Sequence, residues 1–303
     1  MKLLKELCSI HAPSGSEKPM TDFLLGYIKT HQKNWKVKPK IHSGGDLQDC
    51  IVLVFGKPRT AIFAHIDSIG FTSRYETELV KIGGPVVKEG WKLVGKDTKG
   101  AIECTLKVDK DKNPHYSYKR KIDRATTLTF KPDFRETKDY VQCCYMDNRL
   151  GVWNALQVAE TLENGIIAFS TYEEHGGGTV GFLAGYIYEK FNVKQALISD
   201  ITWVTNGVQA GKGVAVSMRD SGIPRRTYLD RVVAIAQKSK VPFQIEVEFS
   251  GGSDGNQLQK APYPFDWCFV GAPESNVHTP DEKVHKKDIA AMTAMYKALM
   301  KGL

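Results

Sequence analysis

Most residues of this chain able to bind a metal or move a proton fall at the ends of short apolar runs. His65 and Asp67 close TAIFAHID (60–67), Asp147 closes YVQCCYMD (140–147), and Asp200 closes QALISD (195–200). Glu173 and Glu174 close GIIAFSTYEE (165–174). Gly251, Gly252, Ser253 and Asp254 follow FQIEVEF, and His278 follows DWCFVGA (266–272) after a short loop. One Asp after an apolar run is ordinary turn chemistry. Several ionisable groups ending runs that pair in one sheet are a different matter, because converging carboxylates repel one another unless cations neutralise them.

Two histidines, His65 and His278, and three carboxylates, Asp147, Glu174 and Asp200, make a nitrogen and oxygen donor set without thiolate. Such a set suits zinc, cobalt or manganese better than calcium or magnesium. Two divalent cations against three carboxylates leave room for a hydroxide, and one bridging carboxylate can hold the cations about 3.5–4 Å apart. Glu173 is left over beside a ligand. It is suited to take the proton of a metal-bound water and deliver it to a leaving amine.

The elements that must position these groups are short buried strands alternating with helices. CIVLVFG (50–56) and the runs above are continuously apolar, as strands covered on both faces are. Helical periodicity appears in EKPMTDFLLGYIKTH, NRLGVWNALQVAETLE, GTVGFLAGYIYEKF, RTYLDRVVAIAQKS and VHKKDIAAMTAMYKALM. This alternation predicts an α/β fold, a mostly parallel central sheet flanked by helices. In such sheets ligands bind beyond the carboxyl ends of the strands, where the ionisable residues lie. Residues 72–138 break the rhythm with Gly- and Lys-rich alternating segments such as ELVKIGG and GAIECTLKVDK. They are expected to form a small all-β insertion, with 1–71 and 139–303 as the catalytic domain.

Composition narrows the class. At 303 residues, 42% hydrophobic and 25% charged, the chain is that of an ordinary globular protein. It has no continuous apolar stretch of signal-peptide or membrane-spanning kind, so a cytoplasmic enzyme without a membrane partner is expected. Cys8, Cys50, Cys104, Cys143, Cys144 and Cys268 form no Cys-x-x-Cys pair, which excludes zinc-ribbon and thioredoxin-type motifs. The net charge is +8, and residues 81–140 carry 15 Lys/Arg against 9 Asp/Glu. No nucleic-acid-binding signature accompanies that charge, so no nucleic-acid partner is expected. As long-range attraction, it would favour anionic peptides.

AHIDSIGF, CYMDNRLG, TYEEHGGG, LISD, GGSDG and APESNVHTP, in that order, resemble the tetrahedral (TET-type) co-catalytic metallo-aminopeptidases. That group also includes deblocking and glutamyl aminopeptidases and proteins labelled as endoglucanases, and the resemblance spans nearly the whole chain. It implies that His65, Asp147 and Asp200 bind one cation and that Asp147, Glu174 and His278 bind the other. Glu173 would be the catalytic base and Asp67 would orient His65. The implied activity is removal of N-terminal residues from short peptides by attack of a metal-bound hydroxide, in a homo-oligomer.

Two positions depart from the pattern. Ser68 stands where the group usually has an acidic residue, and His175 follows the glutamate pair, where it reads as a tolerated loop residue rather than a substrate contact. The main alternative is an N-acyl amino-acid amidohydrolase on the same metal core. Glycoside hydrolysis is disfavoured, because adjacent glutamates on one strand do not face each other across a bond at about 5–9.5 Å. A non-catalytic scaffold is disfavoured because every ligand and the base are present.

Overall fold

In the computed structural model, which describes all 303 residues, the apolar runs become the centre of an eleven-stranded sheet. From one edge its strands run Lys40–Ser43, Ile51–Phe55, Gly165–Ser170, Ala61–His65, Gln195–Trp203, Asp266–Ser275, Lys283–His285, Tyr140–Gln142 and Arg135–Glu136. Val214–Ser217 pairs with Asp266–Ser275 and carries Phe243–Glu246 at a further edge. The four central strands, Gly165–Ser170 to Asp266–Ser275, are mutually parallel, and antiparallel strands extend them on both sides. Ser170 pairs with His65 and Asp200 with Gly271, which brings the predicted site residues to one end of the sheet.

Burial on both faces explains the unbroken apolar runs. In Ala61–His65, Ile62 and Ala64 join the larger core, while Ala61 and Phe63 join a smaller one on the opposite face. Helices Lys18–His31, Met146–Ala159, Arg226–Ser239 and Lys286–Gly302 cover the first face, and Val180–Phe191 covers the second. Two short helices, Lys2–Cys8 and Asp254–Lys260, lie outside the periodic segments read from sequence. The second explains much of Gly-Gly-Ser-Asp-Gly: Ser253 Oγ accepts from Gly255 N–H and Asn256 Oδ1 accepts from Ser253 N–H, a reciprocal helix cap. No helix is long and apolar enough to cross a membrane. All six cysteines are buried and free.

A second, six-stranded antiparallel sheet is built from Gly70–Ser73, Leu79–Ile82, Lys92–Asp97, Gly100–Val108, Pro114–Ser117 and Thr127–Phe130. Its ends meet through a bridge between Glu78 and His115, so it curls towards a barrel. Arg135–Glu136 already belongs to the large sheet.

Three expected placements are different. Asp200 lies inside a strand that runs on to Trp203, and Glu173 and Glu174 lie in a turn beyond Ser170. Asp147 does not end a strand: the strand stops at Gln142, and Asp147 lies in the first turn of Met146–Ala159 with ψ of 105°, after a left-handed Tyr145. The run YVQCCYMD is apolar because this turn is buried, and burial alone does not separate a strand from a helix entry. Residues just beyond Asp147 lock the turn in place. Asn148 Nδ2 donates to Ser199 O at 2.9 Å, Asn154 Nδ2 to Ser199 Oγ at 2.9 Å, and Ser199 Oγ to Gly151 O at 2.9 Å. Arg149, fully buried, donates to the carbonyls of Ile66 and Asp67.

Gly151 permits this approach, since a Cβ there would strike both Ser199 O and Asn148 Oδ1. Gly151→Ala should therefore lower stability by about 1–3 kcal/mol, the usual range for overpacking. Chemical denaturation measures it, and an unchanged midpoint would show that helix and strand separate freely.

Candidate metal centre

His65 leaves its strand fully enclosed, 1% exposed, with Nε2 3.2 Å from Asp147 Oδ1 and 3.5 Å from Asp200 Oδ2. His278 sits in a loop with φ of +63° and directs Nε2 at Asp147 Oδ2 (3.3 Å) and Glu174 Oε2 (3.2 Å). Two groups result, His65–Asp147–Asp200 and Asp147–Glu174–His278, and in each the donor atoms lie within 4.8 Å of one another. Either could hold a metal ion. Asp147 belongs to both and turns a different oxygen to each. Glu173 is in neither, although its Oε2 is 4.0 Å from His65 Nε2.

Charge in this pocket is poorly balanced by side chains alone. Burial, reinforced by the Asp147 charge, raises Glu174 to about 7 and Asp200 to about 6. Glu173 is also pushed well above the carboxylate range, by burial foremost, with His65 opposing and Glu174 adding to the rise. Burial would keep His278 neutral, but hydrogen bonds to Asp147 and Glu174 overcome it and take the ring up to about 12. Histidines drawn to their charged form by carboxylates mark a place where a divalent cation can displace protons. Glu174 Oε1 is buried without a hydrogen-bond partner, a further acceptor suited to a cation.

A profile of the M42 glutamyl aminopeptidase family matches residues 103–295, well over half of the chain. The chain belongs to the M42 peptidase family. Solved structures share its fold. An aminopeptidase of the archaeon Desulfurococcus kamchatkensis superposes with a TM-score of 0.88 at 20% identity, over 100% of this chain and 94% of that one. The Pyrococcus horikoshii TET1 peptidase, which can assemble into a tetrahedron or a large octahedral shell, gives 0.81 at 22% identity over 98% of both. A Thermotoga maritima protein called an endoglucanase gives 0.74 at 16%, over 98% of this chain and 96% of that one. Family membership makes the molecule a peptide hydrolase of a metal-dependent kind.

Around the donor groups, this M42 chain uses main-chain hydrogen bonds. Asp67, fully buried, accepts from Ser14 Oγ at 2.6 Å and from the N–H groups of Glu173 and Glu174 at 3.1 Å each. Its Oδ1 approaches His65 Nδ1 at 3.3 Å, an ionic contact rather than an aligned hydrogen bond. His278 Nδ1 donates to Gly84 O at 3.1 Å, leaving Nε2 for the site. His175 touches no ligand. Its Nδ1 accepts from Gly83 N–H at 3.0 Å, so it ties the glutamate turn to the loop after Leu79–Ile82 of the small sheet.

Sequence reasoning passed over Glu282. It is fully buried and accepts the N–H of Asp147 at 3.2 Å and that of His278 at 3.0 Å, one on each oxygen. Main-chain N–H groups carry no residue signature, so nothing in Pro-Asp-Glu-Lys announces this role. A cleft of about 280 Å³ opens from the centre, lined by Asp147, Glu173, Glu174, Asp200 and His278 and, farther along, by Asp220, Glu246 and Glu248.

Glu282→Ala should weaken divalent-cation binding by about 10–100-fold, the size typical of partners that orient ligands. Competition with a fluorescent chelator reads this directly. Unchanged affinity would mean that Asp147 and His278 hold position without Glu282.

Proposed function

We propose that the chain is a two-metal aminopeptidase that removes N-terminal residues from short peptides. The observation that carries this reading is the double use of Asp147, whose Oδ1 faces His65 while Oδ2 faces His278. His65, Asp147 and Asp200 would hold one divalent cation, and Asp147, Glu174 and His278 the other. Zinc suits these donors best, with cobalt or manganese as substitutes. Bound there, the pair would polarise the scissile carbonyl and lower the pKa of water. Glu173 is the group left free to move a proton, since it stands beside the donors without belonging to them. A carboxyl that burial draws towards its protonated form can take a proton during attack and return it to the leaving amine. Asp67 holds Glu173 and Glu174 by their backbones and steadies the His65 ring.

The charge of the cleft favours this activity over deacylation. Seven carboxylates and no lysine or arginine line it. A peptide presents a protonated α-amine to that wall, whereas an N-acyl amino acid presents a carboxylate and no cation. We also propose that residues 72–138, together with Gly70 and Phe71 of the first small-sheet strand, form a separate domain whose Gly83 and Gly84 hydrogen-bond to His175 and His278. A homo-oligomer is proposed by analogy with the TET assemblies, and exposed Val247 and Phe249, 65% and 84% accessible, offer apolar surface for it.

Glu173→Gln should retain both cations while kcat falls by about 10²–10⁴-fold. Asp147→Asn should lose metal as well. Elemental analysis beside steady-state rates separates the two, and a near-normal rate for Glu173→Gln would assign the proton transfer elsewhere.

Acetylating the N-terminus of a short peptide should reduce kcat/KM by about 10²-fold or more, as when a polar site loses its partner. Faster cleavage of acetylated amino acids than of free dipeptides, by the same protein preparation, would place the chain among the deacylases.

A further inference from the structure

The far wall of the cleft has no task in the metal centre. It carries Asp220, Glu246 and Glu248 beside Trp203. Glu246 ends the strand Phe243–Glu246 and Glu248 lies two residues beyond it; both line this wall, while Ile245, Val247 and Phe249 are 46%, 65% and 84% exposed. Glu246 is 3% exposed and Asp220 9%. None of the three carboxylates forms an ion pair with a lysine, arginine or histidine.

Their partners are neutral. Thr202 Oγ1 donates to Glu246, and Gly222 N–H (2.6 Å) and Asn256 Nδ2 (3.3 Å) donate to Asp220 Oδ1. Arg219 turns its Nε to the main-chain oxygen of Asp220 at 3.2 Å instead of to a carboxylate. Burial raises Glu246, and the charges of Glu248 and Asp220 add to the rise, so the three feel one another. Two divalent cations would answer the charge of Asp147, Glu174 and Asp200, and none of the three wall carboxylates is among their donors. Glu174, one of the donors assigned above to the metal groups, borders the same cleft, so this wall continues directly from the donor set. Buried carboxylates without a cation are expensive to keep in a folded protein unless something charged arrives to pair with them.

We propose that this wall receives the side chain of the substrate's first residue and selects lysine or arginine there. The assignment rests on the aminopeptidase reading and adds the substrate class to it. Trp203 gives the aliphatic stem an apolar surface and a cation a π-face. Its indole packs on Gly251, where an added Cβ would lie 3.3 Å from the ring. At about 280 Å³ the cleft is at the small end for ligand pockets and takes one residue's side chain more readily than a length of peptide. A glutamate or aspartate in that position would face like charges and be discriminated against.

The test uses the full-length protein loaded with zinc and the tripeptides Lys-Ala-Ala, Arg-Ala-Ala, Leu-Ala-Ala, Glu-Ala-Ala and Ala-Lys-Ala. Release of the first residue should show kcat/KM for the lysine and arginine peptides about tenfold or more above leucine, and still farther above glutamate. The lysine-to-leucine ratio should collapse towards one in Glu246→Gln, and in Glu248→Gln if the first variant folds poorly. In parallel, calorimetry should find L-lysine bound more tightly than L-leucine or L-glutamate, with the same variants removing the difference. Turnover without a basic preference, or a preference that follows the second residue, overturns the proposal and leaves the aminopeptidase reading standing. Selective binding of lysine without turnover of any peptide supports the basic pocket and overturns the aminopeptidase reading instead.

Discussion

Asp147, Glu174 and Asp200 lie at ligand distance from two histidines, in a cleft wall without lysine or arginine, so their repulsion must be answered by something other than those two residue types. The molecule answers it at two depths. Nearest the cleft, His65 and His278 stand between the carboxylates. Behind them, Asp67 and Glu282 accept main-chain N–H groups from Glu173, Glu174, Asp147 and His278. Glu282 thereby fastens two chain segments that bring charge to the same point, and Asp67 fastens the glutamate turn beside His65. The rigidity of the donor set is a property of backbone geometry, and that geometry cannot relax to separate the charges. A cation is then the remaining way to stabilise them.

Topology explains why the pieces meet. Four parallel strands deliver His65, the Glu173–Glu174 turn, Asp200 and the loop leading to His278 to one end of the sheet. Asp147 arrives differently, on a helix entry clamped by Asn148 and Arg149 to the neighbouring strands. The small sheet closes the arrangement, because Gly84 holds the outer nitrogen of His278 and Gly83 is held by His175. The loop after Leu79–Ile82 therefore helps to fix the donor His278 and the glutamate turn in place.

The parts legible in the sequence were those expressed as residue type and period. Continuous apolar runs marked the buried strands, and the ionisable residues at their ends marked the donor set. His175 and the Gly-Gly-Ser-Asp-Gly segment were visible, yet their work differs from any reading of them as chemistry: one anchors a loop and the other mainly caps a helix. Asp147 was assigned correctly to the ionisable cluster and wrongly to a strand, because a buried turn is as apolar as a buried strand. Glu282 and Gly84 were out of reach. Their contributions run through main-chain atoms of residues distant in sequence, and no spacing encodes that. Glu246 and Glu248 were not singled out from the sequence, because nothing in FQIEVEF says that these two side chains border the centre.

Charge acts on two length scales here, with opposite signs. The excess of lysine and arginine in residues 81–140 is carried largely on the outside of the small sheet, where Lys107 pairs with Glu89, Lys121 with Glu76 and Lys131 with Glu103. Such exposed pairs contribute little, and their field fades over about 8–10 Å at ordinary ionic strength. The cleft carboxylates are buried or half-buried, screened less, and placed where a bound group would touch them. A peptide approaching from bulk solvent first meets a weak attraction for its anionic portions, whereas a residue entering the cleft meets concentrated negative charge. On the proposed reading, the first effect would adjust encounter and the second would set what can remain bound. The basic composition of the chain therefore describes its surface, while the acidic wall behind the metal centre describes its chemistry.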